Sequence, residues 1–287
     1  MDIVGPFVEF AFMRRALVGC VAVSLGAAPV GVFLMLRRMS LTGDAMAHAI
    51  LPGAAAGYLI AGLSLSAMTV GGLFAGILVA LAAGAVSRVT IVREDTSLAA
   101  FYLISLAIGV TMVSARGSSL DLMHILFGSV LALDDDALVL LCAIATVSVL
   151  ALAVLYRALV LECLDPHFLR GVSRWSPVAH FGFLTLAVAN LVGAFHALGT
   201  LMAVGMMILP GATGRFWVRG LGGLIGAAVL IAILASVVGL LLSYHFGQPS
   251  GPAIVLVLGA AYLLSLLAGP HGSIAARFWP RSHHLEA

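Results

Sequence analysis

The sequence predicts an all-α fold, a polytopic membrane helical bundle of eight or nine transmembrane helices forming one domain over residues 1–287. Three observations predict it. Hydrophobic residues fill 62% of the 287 positions and charged residues only 9%, whereas soluble domains run near a quarter charged, so the polar side chains that would cover a water-facing surface are lacking. Mean hydropathy is +1.18. Apolar stretches of the roughly 20 residues a span needs recur along the chain, and no long polar domain separates them.

The charge-poor stretches run 16–36, 43–62, 66–87, 97–115, 137–156, 178–198, 221–244 and 253–269. A shorter apolar piece, 200–213, reads as a ninth span or as half of a broken pair. Arginines in short loops orient such helices. They fall at Arg37 and Arg38, Arg88 and Arg93, Arg157, Arg170 and Arg174, Arg215 and Arg219, and in the tail at Arg277 and Arg281. Those loops are expected in the cytoplasm with the C-terminus. The acidic run Asp134, Asp135 and Asp136 and the N-terminus fall outside, where Arg14 and Arg15 are exceptions to the rule. The N-terminal stretch has no A-x-A-like cleavage site beside a short apolar core and does not read as a secretory signal.

Composition also excludes functions. All 14 basic residues are arginine, and a P-loop needs a lysine to reach nucleotide phosphates, so any ATP is hydrolysed by a partner. A net charge of +2 with scattered arginines does not suit nucleic acid. Cys20, Cys142 and Cys163 lack CxxC spacing, which argues against a disulfide framework or a thiolate metal site.

Two ionisable residues sit where hydrocarbon is expected. Asp44 and His48, in "LTGDAMAHAILPGAAAGYLI", lie about 40° apart on a helix and one turn apart, so a carboxylate and an imidazole can converge on one divalent ion. Such residues are costly inside a membrane. Three roles fit them: a structural hydrogen bond, a proton relay, or a site on an ion pathway. The pathway gains because no cationic side chain stands at helical spacing to neutralise Asp44. Pro52 frees backbone on the same segment, and Gly53 and Gly57 permit close helix approach.

Other candidates are His196, near the junction before residue 200, and the pair Asp121 and His124, read as an entry way-station or as solvated polar residues. Asn190 reads as a helix–helix hydrogen bond. Met202, Met206 and Met207 read as packing. Residues 157–177 form the longest polar cytoplasmic connection, either an ordinary loop or a docking element. Asp165 can cap a short helix there, Pro166 suits its first position and Gly171 can end it.

Several blocks resemble a known family. "FLMLRRMSLTGDAMAHAILPG" is similar to the RRMSLxGDAxxHAxLPG signature of permease subunits of metal-ion ABC importers, the zinc/manganese/iron cluster. "DLMHILFGSVL", "CLDPHFLRGV", "GTLMAVGMMILPGATGRFW" and "LLSYHFGQPSGPAIVLVLGA" resemble further blocks in the family's order, so the likeness covers about residues 10–268. It implies a type II ABC importer-like permease of the bacterial inner membrane, paired with a second permease copy. It also implies two cytoplasmic ATP-binding subunits and an extracytoplasmic metal-binding protein.

By the same resemblance Asp44 and His48 line the pathway, and 165–171, with Asp165, Pro166, His167, Phe168 and Gly171, is the coupling helix seated on the ATPase. No permanent cofactor is implied; Zn²⁺ or Mn²⁺ is the substrate. His167 departs from the family's acidic residue. His196 stands where glutamine is common and leans the expectation slightly to zinc, because imidazole suits zinc and oxygen-rich sites suit manganese. The alternative function is a proton-coupled secondary metal transporter.

Overall fold

The computed structural model describes residues 5–62, 64–91, 93–114, 130, 133–164 and 175–274. Within them the longer regular elements are all helices. In chain order these are α1 (Gly5–Glu9), α2 (Ala11–Leu36), α3 (Thr42–Ala49), α4 (Leu51–Ala61), α5 (Leu65–Val89), α6 (Glu94–Ser114), α7 (Asp135–Leu164), α8 (Trp175–Leu198), α9 (Thr200–Gly214), α10 (Leu221–Phe246) and α11 (Ser250–Ala268).

Seven of them (α2, α5, α6, α7, α8, α10 and α11) are long and apolar enough to cross a membrane. The span expected over 43–62 is instead two short helices, α3 and α4, meeting at Ile50. The cause is Pro52, which lacks the N–H that would bond one turn back. Ile50 itself keeps helical dihedrals, φ −72° and ψ −27°, so the break is a kink in the bonding ladder more than a reversal. The piece expected over 200–213 is α9, 15 residues long and joined to α8 through Gly199 at φ +87°. That left-handed value suits glycine.

Helix α2 is central. In its membrane-length window 78% of residues are buried, against 22% for α6, α7 and α11. It packs against α7, α9 and α10, and small residues set how closely. A Cβ at Gly31 would overlap the Met207 carbonyl of α9. The α4–α5 hairpin is equally tight: a Cβ on Gly53 or on Gly71 would overlap the other's carbonyl oxygen, and one on Gly57 would overlap the Ala67 carbonyl. With no hydrophobic drive between helices in lipid, such van der Waals contact is a main source of association.

Polar contacts fill the remaining places. Asn190 of α8 donates to Ser148 Oγ of α7 at 2.7 Å and to its own Leu186 carbonyl at 2.9 Å, the interhelical bond expected of it. Met202, Met206 and Met207 are fully buried in the core. Arg15, an exception to the arginine rule, pairs with Asp135 at 3.0 Å at the start of α7, where Asp134 caps the helix by accepting from Ala137 N–H at 2.9 Å. The starts of α2 and α7 therefore share one end of the bundle, the one the arginine rule assigns to the outside, and the ends of α2, α5 and α7 share the other, called the inner end below.

The α2–α3 turn sets the direction in which α3 leaves α2. Met39 N–H bonds the Leu34 carbonyl at 2.9 Å and Arg38 N–H the Met35 carbonyl at 3.0 Å, the paired bonds of a Schellman cap. That cap puts Arg38 at φ +60°, a left-handed position usually taken by glycine and costing an L-residue roughly 1 kcal/mol or more. Arg38→Gly is therefore expected to raise stability by about 0.5–1 kcal/mol, read as a higher Tm of the purified chain in detergent. A lower Tm would mean that the Arg38 side chain contributes more than its backbone costs.

Candidate functional site

Helix α3 carries Asp44 in its first turn and His48 in its last, each at the end of the helix dipole that favours its charge. His48 Nε2 lies 3.9 Å from Asp44 Oδ1. Ligands that share a zinc-sized ion at 2.0–2.2 Å stand roughly 3–3.5 Å apart, so a small side-chain rotation would bring both onto one cation. Both reach the surface: the Asp44 side chain is 66% exposed and that of His48 36%.

The depth of this pair is fixed by its neighbours. Ser105, near the middle of α6, donates to the Ala49 carbonyl at 2.9 Å, satisfying backbone beside the kink. Gly109 of α6 lies so close to Pro52 that a Cβ would come within 3.0 Å of its nitrogen. His48 is one turn away, with its ring 6.4 Å from that of Tyr102. The pair thus sits between the midpoint of α6 and the inner end, on the outer surface of a single chain. A carboxylate cannot face hydrocarbon there without large cost; it needs water or another protein surface.

No group of three His, Cys, Asp or Glu side chains able to hold a metal occurs among the described residues. His196 lies in α8, but its side chain, like the whole of Asp121, His124, Asp165, Pro166, His167, Phe168 and Gly171, is outside the described residues. Pro52 sits at the kink, and Gly53 and Gly57 face the backbone of α5.

A second polar centre, which sequence reasoning missed, lies at the inner end. Glu162 of α7, with its side chain only 2% exposed, holds Arg37 Nη2 at 3.0 Å, the first residue past α2. The same Oε1 is 3.3 Å from His180 Nδ1 of α8 and 3.6 Å from Arg88 Nη2 of α5. Arg37 Nη2 is also 2.8 Å from His180 Nδ1. With arginine the obligate donor, Nδ1 accepts and the ring proton sits on Nε2, which lies 3.1 Å from Glu94 Oε1 at the start of α6.

The arginines also stack. The Arg37 guanidinium lies 5.1 Å from the Phe183 ring centre and that of Arg88 5.2 Å from Phe181; this is favourable cation–π geometry. Five helices therefore converge on one ionic cluster beside a cavity of about 670 Å³ lined in part by Arg38, Arg93, Asp95 and Cys163. Arg37 and Arg88 were read from sequence only as orientation markers. His180, a lone ionisable residue at the start of the apolar stretch 178–198, was the available signal; Glu162 fell within the polar connection 157–177 and stood out from nothing around it.

Removing one partner of a buried ion pair costs about 3–5 kcal/mol because the other charge is left unpaired. Glu162→Ala and Arg37→Ala are each expected to destabilise on that scale, and the double variant by clearly less than the sum. Thermal or denaturant unfolding of the three variants in detergent measures this, and additive losses would show that the pair is not coupled.

A model described as the ABC 3 transport family matches residues 9–269. The chain is 29% identical over 272 residues to the manganese transport system membrane protein MntC of Halalkalibacterium halodurans, covering 94% of this chain and 92% of that one. It is 31% identical over 258 residues to a probable iron transport system membrane protein of Haemophilus influenzae, covering 90% and 94%. Among solved structures it is similar to PsaBC from Streptococcus pneumoniae in complex with Fab, with a TM-score of 0.82, 29% identity, and coverage of 96% of this chain and 98% of that one.

Proposed function

We propose a transport mechanism on the premise that the chain belongs to the ABC 3 transport family, as the multi-pass membrane permease of a metal-ion ABC importer in the bacterial cell membrane. The single observation that carries the mechanism is the exposed Asp44–His48 pair on a helix kinked within the membrane. A divalent ion reaching this level from an extracytoplasmic binding protein exchanges part of its water shell for the carboxylate and the imidazole. It neutralises Asp44 while it is there. Two ligands hold the ion only modestly, which suits a site that must release what it binds.

Manganese is the favoured cargo, with iron next. The relatives carry manganese and iron in their names, and a carboxylate completed by water is oxygen-rich, as manganese prefers. The slight expectation of zinc rested on His196 alone, and the relatives do not support it. A second copy of the chain facing the first across the exposed side of α3 would bring two carboxylates and two imidazoles to one pathway. It would also remove Asp44 from lipid, which supports a homodimer.

Energy comes from partner ATP-binding subunits, since a chain without lysine has no P-loop. Residues 165–171, with Asp165, Pro166, His167, Phe168 and Gly171, are the segment we assign to contact with them. The family match favours ATP over the proton-coupled alternative.

The test is uptake of Mn²⁺, Fe²⁺ and Zn²⁺ by liposomes holding the permease with its ATPase and binding protein. Asp44→Asn and His48→Ala are expected to lower manganese uptake at least about tenfold, the scale of one charge-assisted ligand contact, while assembly and ATP hydrolysis persist. Unchanged uptake in both variants would make the pair structural. Faster zinc than manganese uptake in the wild type would overturn the cargo.

A further inference from the structure

The inner cluster joins three places that the transport mechanism needs to move together. Glu162 stands two residues before Leu164, the last residue of α7, and Ser176 and His180 lie in the first turns of α8. These two helix ends bracket residues 165–174. Arg37, bonded to Glu162 and His180, begins the Schellman-capped turn that leads to α3. From Arg37 the chain reaches Asp44 in seven residues, and the turn between is tightened by the Met39–Leu34 and Arg38–Met35 bonds. Arg88 adds the end of α5, with Nη2 donating to the Ser176 carbonyl at 3.3 Å.

The bonding is also lopsided. Glu162 Oε1 pairs with both Arg37 and Arg88, while Glu162 Oε2 and Arg37 Nη1 are buried and have no hydrogen-bond partner among the described residues. A carboxylate with one crowded and one idle oxygen can pass a bond from one to the other by rotating. The cluster can therefore hold its members together in more than one arrangement, as a packed two-state element requires.

We infer that Glu162, with Arg37 and His180, is a positioning clamp that makes the α2–α3 turn, and with it Asp44 and His48, move with the two ends of segment 165–174. The inference rests on the proposed roles of that segment and that pair. Glu162 touches no cargo. It acts by tying the part of the chain that meets the ATPase to the part that meets the ion, so that movement of one is movement of the other. A buried salt bridge is weak evidence for stability in itself; its use here is to fix which helices move as one body.

The test uses the assembled complex in lipid nanodiscs and liposomes, comparing wild type with Glu162→Gln, which keeps the shape and removes the charge. Two quantities are read: amide hydrogen exchange over residues 37–49 with and without ATP, and manganese moved per ATP hydrolysed. In the wild type, ATP is expected to change exchange over 37–49. In Glu162→Gln that response is expected to vanish while ATP hydrolysis continues, and manganese moved per ATP to fall about tenfold, the scale of one lost charge-assisted bond. A nucleotide response that persists in the variant overturns the clamp, and so does an unchanged ratio of metal to ATP.

Where Glu162→Gln does not assemble, Arg37→Lys keeps the charge, removes the forked guanidinium, and is read by the same two measures. A wild-type complex that hydrolyses ATP and moves no manganese or iron would overturn the proposed cargo instead; the exchange comparison would still decide on the clamp.

Discussion

A charge at the centre of a bilayer costs on the order of 2.5–3.5 kcal/mol on insertion scales, so every ionisable side chain between the helices of this chain needs a partner or water, and both solutions are present at different levels. At the inner end the solution is pairing: Arg37, Arg88, Glu94, Glu162 and His180 neutralise one another with two phenylalanine rings alongside. Closer to the middle the solution is exposure. Asp44 has no cationic neighbour beyond His48, 3.9 Å away among the described residues, and stays on the surface of the single chain. The same constraint that closes the inner cluster therefore leaves one acidic side chain at the surface of the single chain.

Backbone polarity obeys the same rule and shapes α3 and α4. Pro52 removes the N–H that would bond the His48 carbonyl, and beside that gap a serine from α6 donates to the Ala49 carbonyl. Irregular backbone at membrane depth is tolerated where protein surrounds it or water lines it. Here protein surrounds it on one side, where α5 and α6 cover the kink, and the Asp44–His48 face is left uncovered in the single chain. The glycine contacts between α4 and α5 hold the broken helix against a straight one, so the kink has a fixed backing.

The two polar centres are linked through one turn. Arg38 takes a backbone conformation that its side chain disfavours because the cap needs it, and that cap fixes how α3 leaves α2. With the ionic cluster on one side of the turn and Asp44 and His48 on the other, it is the shortest covalent route between the inner end of the bundle and the kinked helix.

By itself the sequence determined the membrane class, the spans other than the kinked one, an expected orientation, and the spacing of Asp44 and His48. Each of these is a local property: hydropathy over about 20 residues, arginine counts in short loops, and two ionisable residues at helical spacing. The break at Ile50 was half legible, since Pro52 announced a disturbance but not that 43–62 would become two helices. Only the tertiary structure decided the inner cluster. Its members lie on five helices, with Arg37 and His180 separated by 143 positions, and nothing local to Glu162 or His180 specifies which arginine each will meet. Which face of α3 stays uncovered was likewise decided by packing, because a helix with apolar or small neighbours all round offers several faces to bury, and the positions of α5, α6 and α8 select among them.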